Sequence, residues 1–193
     1  EKMLKKFIIL IMFPLLAFSA EDKYVIDKTH FAVGFLVEHV GYAKTLGMFR
    51  DIDGSYSHDL TTNKINDITI SIKTGSVFTN HGKRDQHLMS PDFLNVDKFP
   101  EMLFKATNIE IQDNNTTING ELTLLGITKP LVLTGRINKI GKYPFGGIIK
   151  PYVMGISARG TIKRSEHGMN YALKDNLVGD EIDLIIEFEA RRQ

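Results

Sequence analysis

His81, Asp85 and His87 are the residues whose types and spacing best suit chemistry in this sequence. Asp85 follows His81 by four positions, so on a helix the two share a face. With His30 or His39 alongside, imidazole and carboxylate together would suit zinc or a non-haem iron. A metal-dependent enzyme is therefore one reading. The spacing is not that of His-Glu-x-x-His or another strong metal motif. The competing reading is structural: Arg84 pairs with Asp85, and the histidines hydrogen-bond strand ends, since ionic networks form such clusters too. That reading is preferred here, and no metal or catalytic residue is assigned. A third lies between them, in which these polar groups hold the headgroup of an amphiphile at the edge of an apolar pocket.

Other chemistry finds less support. Asp51-Ile52-Asp53-Gly54 resembles part of a calcium loop, but Phe49 and Leu60 stand where acidic ligands are needed. No Gly-x-Ser-x-Gly elbow is present. There is no cysteine, which removes thiol nucleophiles and cysteine-ligated metals. Asn114 and Asn115 begin overlapping glycan-acceptor patterns, and glycosylation of Asn115 stays open.

The elements that must position these residues are mostly strands. Phe31, Val33, Phe35 and Val37 alternate along one face, as do Ile68, Ile70 and Ile72. Ile118, Leu122 and Leu124 continue the rule with Gly120 between them. Tyr152, Met154, Ile156, Ala158 and Ile162 follow it, and Ile182, Leu184, Ile186 and Phe188 close the series. Weaker strands lie near Leu46–Ser57, Met102–Gln112 and Pro130–Lys139, so about eight antiparallel strands are predicted. Asp113-Asn114-Asn115 and Gly126–Pro130 read as turns, and Asp53-Gly54 as a turn or bulge. Alternation stops between Val77 and Pro100. There Asn80–Ser90 reads as a short helix capped by Asn80, with a further helical turn at Ser90–Leu94.

An all-β chain with one apolar face per strand must cover that face. About eight strands suffice for a closed antiparallel barrel with room for its own side chains or one small ligand. Gly120, Ala158 and Gly160 at inward positions, and the lack of tryptophan, favour unfilled volume or tight strand bends.

The N-terminus reads differently. Met3 looks like the start, with Glu1-Lys2 a remnant before it. Lys5-Lys6, the apolar run Phe7–Leu16 and Ala17-Phe18-Ser19 form the three parts of a secretory signal, and Glu21 interrupts the run too early for a membrane span. Residues 1–19 are expected to be removed, leaving residues 20–193 as one exported domain, periplasmic or secreted from a Gram-negative bacterium. That loses three lysines and one glutamate, moving the net charge from +1 to about −1. A near-neutral chain has no overall field to attract a polyphosphate, so nucleic acid is not an expected partner.

Four blocks, in order, resemble the YceI-like family of polyisoprenoid- and lipid-binding, lipocalin-like barrels over roughly residues 24–190. They are Asp27-Lys28-Thr29-His30 with Val33, Phe35, Val37, His39, Gly47 and Phe49; Ser76, Thr79-Asn80-His81, Arg84-Asp85, His87-Leu88, Ser90, Asp92-Phe93-Leu94, Phe99-Pro100 and Phe104; Gly120–Leu124 with Gly126–Pro130; and Gly155–Gly160, Arg164, Gly168-Met169 and Val178–Ile182. Two positions depart from the family: Phe31 replaces a small polar residue after His30, and Ser165-Glu166-His167 replaces an acid followed by an aromatic. The resemblance implies an eight-stranded barrel with a short helical segment near residues 80–95. Its lumen would take a long-tailed polyisoprenoid, fatty acid or fatty amide, with no cofactor and no catalysis. The residues expected to bind the ligand are Val33, Phe35, Val37, His39, Phe49, Arg84, Asp85, His87, Leu88, Phe93, Phe104 and Ile156, with Asn80–Ser90 and Phe93 at the mouth. Many members form dimers, so a homodimer is among the assemblies allowed. A barrel filled by its own side chains, acting through an outer face, is the remaining alternative.

Overall fold

The computed structural model describes residues 21–107 and 109–193, so the expected signal segment lies outside the described residues. The strands are β1 (Glu21–His39), β2 (Ala43–Phe49), β3 (Ile52–Asp59), β4 (Lys64–Lys73), β5 (Val77–Phe78), β6 (Glu101–Ala106), β7 (Ile109–Glu110), β8 (Asn115–Leu124), β9 (Ile127–Lys142), β10 (Tyr152–Lys163) and β11 (Val178–Arg192). Among the described residues one α-helix, α1, spans Gly82–Met89.

These strands build a closed antiparallel barrel of eight staves. β2 and β3 are two halves of one stave, broken at Arg50-Asp51: β2 pairs with the C-terminal half of β1 and β3 with its N-terminal end. The short β5 and β7 similarly extend the staves of β4 and β6. Closure comes from the first and last strands. Val33 faces Ile186, Phe35 faces Leu184 and Val37 faces Ile182, so the two clearest alternating series become direct neighbours. A ring of strands has no free edge to recruit another chain.

Several local expectations are corrected. Asn80 does not cap α1; it takes a left-handed backbone (φ 59°), and His81 is the cap, its Nδ1 accepting from the Arg84 amide at 3.2 Å. The segment after Ser90 makes turns rather than more helix. Asp53-Gly54 lies inside β3, where a Cβ on Gly54 would stand 2.5 Å from Ile70 Cδ1, so the glycine serves close packing. The β8–β9 hairpin turns on Leu125 and Gly126 alone, both left-handed (φ 52° and 73°), and Thr128–Pro130 already belong to β9. Gly120 leaves no void either. A Cβ there would stand 2.4 Å from Phe104 Cζ, so the ring of Phe104 lies over the glycine.

Candidate functional site

The inward residues of the eight staves surround a cavity of about 670 Å³. Its wall is aliphatic and aromatic: Val33, Phe35 and Val37 from β1, Phe49 from β2, Ile68, Ile70 and Ile72 from β4, Phe104 from β6, Leu131 and Leu133 from β9, Ile156 and Ala158 from β10, and Leu184 and Ile186 from β11. The alternation of the strands explains this directly, since every second residue points into the lumen. The volume runs against the alternative of a barrel filled by its own side chains.

One end is blind. The rings of Tyr24 and Tyr56 stack at 5.3 Å, and Met154 and Ala190 beside them are fully buried. Burial, then the Asp22 carboxylate, pushes the Tyr24 phenol above its ordinary value, and burial pushes Tyr56 well above it. Both phenols stay neutral at any physiological pH, so neither ring adds charge to this floor.

The other end is the mouth. His39 and Val40 at the β1–β2 hairpin, the cap residue His81, Lys83, Arg84 and His87 of α1, and Tyr171, Ala172 and Leu177 of the β10–β11 connection ring it. His87, Phe93 and Tyr171 lock together, with ring centroids 4.9 to 5.2 Å apart. Leu88 and Phe93 thus place apolar surface beneath a polar rim, while His87 Nε2 meets Asp92 Oδ2 at 2.8 Å.

Eleven of the twelve residues expected around the ligand therefore line the cavity; Asp85 does not. Its Oδ1 accepts from the Thr79 amide (2.8 Å) and the Thr79 hydroxyl (2.5 Å). Arg84 donates to the same Thr79, through Nε to Oγ1 and Nη2 to the carbonyl, both at 2.7 Å. The two side chains thus clamp one threonine instead of pairing with each other. The His81, Asp85 and His87 trio also does not converge: among the described residues the only three-member group of potential metal ligands is Asp27, His30 and Glu189.

The YceI-like domain matches residues 24–190. The chain belongs to the YceI-like family. A UPF0312 protein of Azotobacter vinelandii is 39% identical over 173 residues, spanning 88% of this chain and 87% of the relative. The crystal structure of the Campylobacter jejuni YceI protein superposes with a TM-score of 0.70 at 28% identity, covering 81% of this chain and 90% of that one. A polyisoprenoid-binding domain of Saccharophagus degradans matches with a TM-score of 0.69 at 10% identity, covering 88% and 98%, a likeness that carries the fold alone.

Two devices hold this YceI-like barrel in shape. The first is Asp27–His30. Ile26 faces Ala190 and Phe31 faces Phe188, so four residues of β1 bulge out opposite Glu189 alone. Asp27 gathers the bulge: it accepts from the Thr29 amide (2.9 Å) and hydroxyl (2.7 Å) and from Arg191 Nε (2.8 Å), and meets His30 Nδ1 at 3.2 Å. Burial works to raise this carboxyl, but the Thr29, His30 and Arg191 hydrogen bonds outweigh it and hold it well below its ordinary value. Arg191 already supplies the positive charge that balances Asp27, so the group reads as a brace rather than a cation site.

The ionised form of Asp27 is the one the fold favours. Its contribution is complete above the ordinary carboxylate range, near 4, and is lost as pH falls through the depressed folded value. Asp27→Asn is expected to lower stability near pH 6 by about 1–3 kcal/mol and to lose part of that deficit near pH 3. Urea unfolding at the two pH values measures this. A deficit that stays constant would assign the acid sensitivity to other carboxylates.

The second device is Arg164, 1% exposed. Its guanidinium donates to the carbonyls of Gly179 (2.7 Å), Met169 (2.8 Å) and Val178 (2.7 Å). Burial lowers its pKa and the Asp180 carboxylate opposes that. Asp180 in turn accepts from the Ser165 amide and hydroxyl. Arg164 thereby pins the connection that carries Tyr171 to the mouth.

Proposed function

We propose that this chain is an exported, non-catalytic binding protein that holds one long-tailed amphiphile in the barrel lumen, tail toward the tyrosine floor and headgroup among His39, His81, Lys83 and His87. The observation that carries this reading is the cavity of about 670 Å³, apolar along its wall, with most of its polar lining gathered at the mouth. Membership of the YceI-like family and the aliphatic and aromatic wall support a lipid-type ligand, of the polyisoprenoid, fatty acid or fatty amide class. The signal-like N-terminus supports a periplasmic or secreted location. Among the described residues no helix is long and apolar enough to cross a membrane.

The driving force is burial of the tail. Each methylene removed from water contributes about 0.8 kcal/mol, so ten or more outweigh the freedom lost on binding. Selectivity would come from lumen length and from the charge and reach of the rim. Carriage, storage and sequestration all follow from the same site.

Native mass spectrometry of detergent-free protein, with analysis of its organic extract, tests the reading. One long-chain lipid per barrel is the expected result. In a fatty-acid series, affinity should rise about threefold to fourfold with each added methylene until the lumen is full. A protein that carries no lipid and refuses added prenyl and fatty ligands would overturn it.

A further inference from the structure

Residues 122–165 hold eight basic side chains and not one acidic one. Arg164 is buried and Arg159 pairs with Glu187, so the basic charge beside the β9–β10 connection is that of Lys139, Lys142 and Lys150. At the centre of this stretch the β9–β10 connection projects from the end of the barrel, and its tip is apolar. Phe145 is 74% exposed, Ile148 105% and Ile149 91%. Bulky aliphatic side chains this free of protein contact are uncommon in so short a segment, and clusters of them mark interaction sites. The loop is nonetheless built. The Tyr143 amide donates to the Pro151 carbonyl at 2.8 Å to close its base, and Lys150 Nζ reaches the Pro144 carbonyl at 3.1 Å. Tyr143 packs against Phe145 with centroids 6.1 Å apart, and Arg192 stacks on Tyr152 at 4.4 Å.

We propose that this loop docks the protein on an anionic lipid bilayer, with Phe145, Ile148 and Ile149 entering the acyl boundary and Lys142 and Lys150 at headgroup level. The charge pattern favours this partner. A convex apolar tip flanked by lysines, with tyrosines at its base, matches the layered chemistry of a membrane interface. Neither Lys142 nor Lys150 is held in a salt bridge among the described residues, so both are available to lipid phosphates.

The orientation follows from the register. The start of β10 pairs with the end of β11, Val153 opposite Arg191, whereas the mouth lies where β10 ends. A docked barrel would stand on its blind end with the mouth facing water, so ligand exchange would occur with the aqueous side. This inference does not depend on what fills the lumen.

Co-sedimentation tests it. The protein and its Phe145→Ser/Ile148→Ser/Ile149→Ser variant are mixed with vesicles of phosphatidylcholine, with or without about a third phosphatidylglycerol. The wild-type chain is expected to bind the anionic vesicles, and the triple variant to bind about a hundredfold more weakly or worse. Lys142→Gln/Lys150→Gln should cost about twentyfold on anionic vesicles and little on neutral ones, and raised salt should mimic it. Both variants should melt like the wild type, because the replaced side chains are not part of the core. Equal binding by wild type and triple variant, or no binding by the wild type, overturns the proposal. So does a concentration-dependent dimer that the triple variant abolishes while vesicles are ignored, which would make the loop a contact between copies. A lumen-blocked variant, Ala158→Trp, should still bind vesicles, which separates failure here from failure of the lumen reading.

Discussion

Ala158→Trp should yield a folded barrel that binds a long-chain ligand about thirtyfold more weakly. Ala158 lies on β10 between Gly135 of β9 and Ile186 of β11, it is 3% exposed, and it lines the cavity. An indole there would enter space the tail is proposed to fill. Displacing two or three methylenes from the wall costs about 2 kcal/mol, or about thirtyfold in affinity. The rim residues are untouched, so a headgroup-only ligand would bind as before. Isothermal titration with a fatty acid, alongside an Ala158→Ser control, measures the effect. A folded variant with unchanged affinity would place the ligand outside the lumen.

Arg164→Ala should produce the largest loss of stability among single substitutions outside the apolar wall. Three carbonyls, of Met169, Val178 and Gly179, accept from this one guanidinium. Removing it strands them in a part of the fold where water has little access. A buried acceptor left without a donor costs about 1–3 kcal/mol; with partial relaxation the expected total is about 3–5 kcal/mol, read as a shift in the urea midpoint at constant slope. Arg164→Lys should recover only part of this, because an ammonium cannot span three acceptors in a planar fork. Since the segment it pins carries Tyr171 to the mouth, ligand release should also quicken. A loss below about 1 kcal/mol would mean the connection is held by its own turns.

The sequence by itself determined the repeating unit of this protein. Val33, Phe35 and Val37, and Ile182, Leu184 and Ile186, announce strands because a pleated chain turns alternate side chains to one face, whatever lies beyond it. The count of strands and the family blocks then made an antiparallel barrel with an apolar interior the expected answer, and eleven of the twelve residues expected to bind a ligand border the cavity. Phe104 was legible as an inward residue, although the space above Gly120 that its ring occupies was not.

Only the tertiary structure decided how those units meet. Asp85 could not be told from a rim residue, because a carboxylate beside histidines reads the same whether it faces a ligand or the amide of Thr79. The bulge at Asp27–His30 depends on Arg191, 164 residues away, and the role of Arg164 on carbonyls of Met169, Val178 and Gly179 that accept from it. The closure of β1 on β11, the blind tyrosine floor and the volume left between the walls share that origin. Periodicity is a local property that each strand writes into its own residues. Partner choice and leftover volume belong to pairs of segments distant in sequence, and nothing in either segment alone records them.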